Sequence, residues 1–228
     1  MRLRVVCVFG RGSSSLNNIG TSQPLGGAIK RNFDILFAII AITASFGIVI
    51  ISVVWIKVVS RGPAFFVHYR IGFGGEEFPC LKLRTMTVDA DERLKAHLAA
   101  NPRDRKEFEE HQKLTHDPRI VPGIGKFLRT TSLDELPQFL NVLLGHMSIV
   151  GPRPVTAAEV DRYGIHRATY LATRPGVTGL WQVSGRNALS FEERVEIDSE
   201  YVKNWSMGRD AKIILKTIKV VFTGEGAC

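Results

Sequence analysis

Ile35 through Ile56 reads ILFAIIAITASFGIVIISVVWI, 22 positions without a charged side chain. As an α-helix at about 1.5 Å per residue this run is about 33 Å long, close to the hydrocarbon thickness of a bilayer. Ile, Val, Phe and Ala dominate it, and Trp55 near its end suits a membrane–water interface. The run is too long for the apolar core of a cleaved signal peptide, and no cleavage site follows it. A buried core helix is the plain alternative, and the length argues against it.

The flanks carry more information than the run. Residues 1–33 contain Arg2, Arg4, Arg11, Lys30 and Arg31 and no acid, and Lys57, Arg61 and Arg70 follow the run. Positive charge marks the cytoplasmic side, so a segment crossing once should be asymmetric, whereas both ends here carry the cytoplasmic mark. A re-entrant helix hairpin that leaves on the side it entered reconciles them. Its break is expected at Ser45-Phe46-Gly47, where glycine weakens the helix and serine can bond its own backbone, although no proline lies in the run. Asp34 stands at the membrane entrance with Lys30 and Arg31, either as an interfacial residue or as a paired functional acid.

The expected organisation is a flexible leader rich in Gly, Ser and Asn (1–29), a membrane-embedded helix or hairpin (30–60) and a small cytoplasmic catalytic domain (61–228). At 45% hydrophobic and 23% charged residues the chain is not disordered. A net charge of +8 implies an anionic partner without saying which. Cys7, Cys80 and Cys228 match neither a disulfide framework nor a zinc motif.

Past the breaker Arg61-Gly62-Pro63, the segments 65–70 and 78–83 flank Gly72-Phe73-Gly74-Gly75 and read as a β-hairpin. Residues 88–114 alternate in charge and read as two solvated helices parted at Asn101-Pro102. His97, His111 and His116 lack metal-ligand spacing. Leu133, Leu136, Leu140, Leu143 and Leu144 recur at helical spacing, and Asp210 to Phe222 is a second amphipathic helix that carries Lys212, Lys216 and Lys219. The fold class expected is α/β in the broad sense: helix-rich α+β with an anchor.

Arg129-Thr130-Thr131-Ser132-Leu133-Asp134-Glu135 packs a cation, three hydroxyls and two carboxylates into seven residues at an expected helix start. Ser132 to Glu135 has capping-box spacing, a structural explanation that competes with catalysis. The surroundings favour chemistry. Gly151-Pro152-Arg153-Pro154 holds a guanidinium between two prolines, Arg174-Pro175-Gly176 repeats the idea, and Ser184-Gly185-Arg186-Asn187 adds another arginine at a turn. With Lys82, Arg84 and Arg129 they read as cations awaiting a diphosphate beside two acids able to hold Mg²⁺.

Lys30-Arg31-x-x-Asp34 ahead of the apolar run, Lys82 to Met86 (KLRTM), Arg129 to Asn141 (RTTSLDELPQFLN), Met147 to Pro154 (MSIVGPRP) and Arg174 to Asn187 (RPGVTGLWQVSGRN) occur in that order. Together they resemble the bacterial polyprenyl-phosphate sugar-phosphate transferases, above all the small single-domain initiators of exopolysaccharide synthesis, over residues 29–222. The resemblance implies transfer of a hexose 1-phosphate, galactose or glucose, from a UDP-sugar to polyprenyl (undecaprenyl) phosphate with release of UMP. It implies Asp134 as a nucleophile that forms a covalent phosphosugar-enzyme and Glu135, with Asp134, as Mg²⁺ ligands. Lys82, Arg129, Arg153, Arg174 and Arg186 become the candidate phosphate and substrate ligands. It also implies a membrane-lipid partner and a bacterial inner-membrane location with the catalytic domain on the cytoplasmic face, no nucleic acid, and room for a homo-oligomer.

The chain departs from the family pattern twice. Ser45-Phe46 replaces a Ser-Pro pair, and His146 stands where an acid is usual. Two other readings remain at this stage: a basic membrane-attached binding module, and a membrane-bound Mg²⁺-dependent pyrophosphate hydrolase with water as acceptor.

Overall fold

The computed structural model describes residues 23–111, 114–185 and 189–223; the leader up to 22, Cys7, Arg186, Asn187 and Cys228 lie outside them. Helix α1 (Gly27–Val59) begins after Gly26, whose left-handed φ of 79° glycine adopts without a Cβ penalty. The break expected at Ser45-Phe46-Gly47 does not occur, and α1 runs through it as one helix. Ser45 Oγ donates to Ala41 O at 2.7 Å, so the serine is satisfied inside the helix. One glycine weakens a helix without removing a backbone donor, and no proline is present to do so.

Burial divides α1 into three parts. Lys30, Asp34 and Ala38, spaced four apart, face the body of the protein. Ser52 and Ile56 do so at the other end. Between them Ile40, Phe46 and Ile51 are 60–65% exposed, which suits lipid and not water. The helix is long and apolar enough to cross a membrane by length and composition. Both of its ends are fastened to the rest of the chain.

Strands β1 (Phe65–Ile71) and β2 (Glu77–Leu83) form the expected hairpin, antiparallel from Phe65 opposite Leu83 to Ile71 opposite Glu77, closed by a 3-10 turn at Phe73–Gly75. Helices α2 (Ala90–Ala100) and α3 (Pro102–His111) part at Asn101-Pro102 as expected. α4 (Ile124–Thr130) leads into a 3-10 turn at Leu133–Glu135 and then α5 (Gln138–Leu143). The leucine-spaced stretch is therefore two pieces. Pro137 lacks an N–H and stands at the N-cap of α5, so a helix from 133 cannot continue through it.

The chain continues through β3 (Ser148–Val150), α6 (Ala157–Asp161), α7 (Arg167–Leu171), β4 (Gly176–Thr178), α8 (Phe191–Lys203) and α9 (Met207–Thr223). Strands β3 and β4 pair in parallel, Ser148 opposite Gly176 and Val150 opposite Thr178. Both α6 and α8 start with full capping boxes, Thr156 with Glu159 and Ser190 with Glu193. This is a helix-rich α+β fold.

Two apolar clusters tie α1 down. Ala38 packs in one with Phe78, Val142, Met147, Ile149 and Tyr201. Ile56 packs in the other with Leu83, Val121, Ile124 and Leu128. Arg84 adds a polar clasp by donating to Arg61 O at 2.7 Å and Ser60 O at 3.2 Å. Its two terminal nitrogens thus bond the carbonyls just past α1, away from the cleft lining.

Candidate active site

Ser132 adopts φ 57°, ψ 18°, the only positive φ of a non-glycine residue among those described. From this left-handed position its side chain makes no capping bond, so the capping box expected at Ser132–Glu135 is not formed. The two acids that follow are thus not explained by helix capping. A strained residue ahead of paired carboxylates is the pattern of a functional turn.

Glu135 meets Lys82 of β2, Nζ to Oε1 2.6 Å, across 53 residues of sequence. Asp134 lies beside this pair. Its carboxyl is pushed up to about 6, first by burial and then by the Glu135 charge, against the opposing charges of Lys82 and Arg129. Burial alone would lower Lys82, yet Glu135 and then Asp134 outweigh it and hold the ammonium above its ordinary range. The turn therefore carries a salt-bridged acid and a second acid at the edge of ionisation near neutral pH.

Lys82 and Glu135 open into a shallow cleft that Arg70, Cys80, Gln138, Arg153 and Trp181 also line. On the hairpin, Arg70 and Lys82 fall on one face, because Lys82 opposes Phe66 and Arg70 opposes Phe78 in alternating register. That period-two pattern was available in the sequence and would have found Arg70. Arg70 is held by Glu159 at 3.0 Å.

Arg153 is carried by a backbone crossing. Gly151 N donates to Thr178 O at 2.9 Å and Gly176 N to Pro152 O at 2.8 Å. A Cβ on Gly176 would collide with Gly151 N and Thr178 O, and one on Gly179 with Gly151 O. The glycines of both Gly-Pro-containing motifs thus let β3 and β4 approach backbone to backbone. The Arg153 guanidinium lies 5.0 Å from the Trp181 ring centroid, with Arg194 on the same ring at 5.5 Å. Beneath them Asp198 accepts from Arg153 N and Tyr163 Oη, while its Oδ1 has no partner. Burial pushes Asp198 up to about 7. Trp181, Arg194 and Asp198 carry no spacing or motif in the sequence that marks them as neighbours of Arg153.

The remaining sequence candidates separate. Arg129 is exposed at the end of α4 and acts on Asp134 by charge. Arg174 is not part of the cleft: its Nε donates to Gly145 O at 2.7 Å and its neighbours in charge are Arg31 and Asp34. Its Nε thus braces the α5–β3 connection, apart from the cleft lining. Arg186 lies outside the described residues. His146 stacks on Phe78 at 5.6 Å between ring centroids, away from the cleft lining.

The membrane-entrance trio is a structural joint. Lys30 forms an ion pair with Asp210 of α9. Arg31 donates to Val142 O and Leu143 O at the end of α5, at 2.6 and 2.9 Å. Asp34 accepts from Ser148 Oγ and Ile149 N, each at 3.0 Å.

The residues that would hold Mg²⁺ are the carboxylates of Asp134 and Glu135, the second already paired with Lys82; no group of three or more His, Cys, Asp or Glu suited to a metal occurs among the described residues. Two carboxylates next to a cationic cleft fit an ion that completes its shell with water and substrate phosphate. The acid held up near 6 is one whose ionised form a nearby cation would favour.

The Bacterial sugar transferase family pattern matches residues 25–224. The undecaprenyl-phosphate galactose phosphotransferase of Salmonella typhimurium is 48% identical over 200 residues, 87% of this chain and 41% of that protein. The chain thus spans about two fifths of that longer relative. The exopolysaccharide production protein ExoY of Sinorhizobium fredii is 44% identical over 208 residues, 91% of this chain and 92% of that one. The UDP-glucose:undecaprenyl-phosphate glucose-1-phosphate transferase of Caulobacter vibrioides is 38% identical, over 87% of this chain and 71% of its own length. A match over nearly the whole chain, including the apolar helix, the acid pair and both glycine-arginine motifs, places this protein in the bacterial sugar transferase family.

Proposed function

We propose that this chain transfers a hexose 1-phosphate from a UDP-hexose to polyprenyl phosphate, of the undecaprenyl kind, and releases UMP as the first step of exopolysaccharide or related glycoconjugate synthesis. The observation that carries the reading is the Asp134 carboxyl, half-ionised near pH 6, beside a Lys82–Glu135 pair that opens into an arginine-lined cleft. The names of the relatives supply the substrate class.

In this reading an Asp134 carboxylate oxygen attacks the sugar-bearing phosphorus of the donor. The P–O bond to UMP breaks, UMP leaves with the electron pair, and an acyl phosphate to the hexose remains. A phosphate oxygen of the lipid acceptor then attacks the same phosphorus, which frees the Asp134 carboxylate and forms a polyprenyl diphosphate hexose. Asp134 attacks as an anion, so its affinity for a proton must not exceed what working pH can remove, and Lys82 and Arg129 keep it within reach. Arg153, braced on Trp181, and Arg70 offset the charge of the diphosphate. Glu135, with Asp134, would hold Mg²⁺, which when bound screens the repulsion between nucleophile and phosphate.

The membrane reading is that both ends of α1 stay on the cytoplasmic face of the bacterial inner membrane. Support comes from the two apolar clusters and the Arg84 clasp, which fasten both ends to one body. Because α1 is unbroken, its two ends share a side only if it lies along the membrane with its exposed apolar middle in the lipid, and not as a hairpin. Cysteines introduced for Gln23 and Glu92 should label from the same side of sealed vesicles; labelling from opposite sides overturns this placement.

The test of the reaction is purified protein with labelled UDP-galactose or UDP-glucose and Mg²⁺, with and without polyprenyl phosphate. The expected products are lipid-linked sugar phosphate and UMP. Free hexose phosphate at the same rate with or without lipid would make the chain a hydrolase instead.

A further inference from the structure

A second concavity, of about 220 Å³, lies where α1, α5, β3, β4 and α9 meet. Phe37, Phe139, Ile149, Ile214 and Ile218 form its walls. Thr178 and Thr217 line it too, but their hydroxyls are bonded to each other at 2.7 Å, and Thr217 Oγ1 also donates to Ile213 O. The surface offered is hydrocarbon, with its polar atoms already satisfied.

The groove shares one wall with the catalytic cleft. Val177 of β4 lines both, between Gly176 on the polar side and Thr178 on the apolar side. It is also bounded by surface suited to lipid: Phe37 has the exposed Leu36 and Ile40 as neighbours on α1, and Ile218 on α9 is exposed. A cationic cleft and a hydrocarbon groove on either side of one valine fit an amphiphile with a phosphate head and a single branched apolar chain. A nucleoside finds no free donor or acceptor in the groove.

We propose that this groove receives the first isoprene units of the lipid acceptor, so that α1, α9 and Val177 thread the polyprenyl chain out of the membrane and deliver its phosphate to the cleft. The proposal rests on the transferase reading above and assigns to that site a tail-binding groove separate from the donor cleft. It gives α9 a function beyond packing, with Ile214 and Ile218 facing the hydrocarbon of the substrate.

The test uses the full chain in nanodiscs and separates the two half-reactions. UMP released without acceptor reports the donor step, and the KM for polyprenyl phosphate reports the groove. Ile214→Trp should raise the acceptor KM about tenfold, as expected for losing contact with one or two branched apolar units. The donor step should continue. A diazirine-bearing geranylgeranyl phosphate should label peptides containing Phe139 or Ile214 in the wild-type protein, and polyprenyl phosphate should compete where phosphatidylglycerol at equal concentration does not. Unchanged acceptor KM, labelling elsewhere, or equal competition by phosphatidylglycerol overturns the groove while leaving the transferase reading intact. Absence of UMP release from the wild-type protein would take down both. The labelling needs no variant, so a misfolded Ile214→Trp does not rescue the proposal.

Discussion

Lys30–Asp210 and Lys82–Glu135 are both lysine–carboxylate pairs that join distant parts of the chain, and they are built for opposite ends. At the first, the partners are 3% and 0% exposed, and Asp210 also accepts from Tyr201 Oη at 2.8 Å and Trp205 Nε1 at 3.1 Å. Its carboxylate is saturated with donors. At the second the partners are 32% and 29% exposed, and the adjacent Asp134 is held among charges and left near its ionisation point. A saturated pair fixes α1 to the domain; an undersupplied acid next to a pair remains able to react. Donors and surroundings together separate the joint from the site: Asp210 meets three donors, whereas Asp134 is raised by burial and by the Glu135 charge.

The contrast can be broken at either end. Asp134→Asn should lower turnover by about a thousandfold or more, as removal of a nucleophile does, with membrane insertion intact. Turnover within tenfold of wild type would remove Asp134 from the reaction. Asp210→Asn should do its damage in folding. Stranding the Lys30 ammonium in a buried joint costs about 3–5 kcal/mol, read as a lower denaturation midpoint in detergent. An unaltered midpoint would mean that the joint does not hold α1.

Smaller effects sharpen the difference. The donor step should rise with pH through about 6 and level off above 7, because only ionised Asp134 attacks. The same acid has a sign in stability. Its folded pKa lies above the ordinary carboxylate value, so its contribution is fully present at pH below the unfolded value and is lost as pH rises through about 6. Asp134→Asn should therefore melt a few degrees higher than wild type at pH 8, with the gap closing toward pH 4. A gap that widens on acidification would contradict the raised value. Smallest of all, Ser190→Ala removes one capping bond of α8 and should cost about 1 kcal/mol without changing the acceptor KM.

Local sequence made much of this legible. The apolar run, the glycine-turned hairpin and the split at Asn101-Pro102 follow from composition and breakers, and all three are in the structure. The capping box was misread because Ser-x-x-Glu spacing carries no information on φ, and Ser132 is left-handed. Arg84 and Arg174 are ambiguous in sequence because an arginine in a loop can serve a carbonyl or a phosphate with the same fork of donors, and only the fold shows the carbonyls each one bonds. Lys30, Arg31 and Asp34 stand together in the sequence, but their partners come from 111 to 180 positions further along the chain, in α5, β3 and α9. Trp181, Arg194 and Asp198 converge through the β3–β4 crossing and α8, and no spacing in the sequence reports that convergence.

The central claim is that Asp134 makes the bond. Purified protein mixed with labelled UDP-hexose and Mg²⁺ without lipid acceptor, quenched within seconds and digested, tests it most directly. The account predicts one equivalent of UMP per active chain and a hexose phosphate on the peptide containing Asp134, discharged when polyprenyl phosphate is added. Label on a different residue, or full lipid-linked product with no UMP released before acceptor arrives, would contradict it.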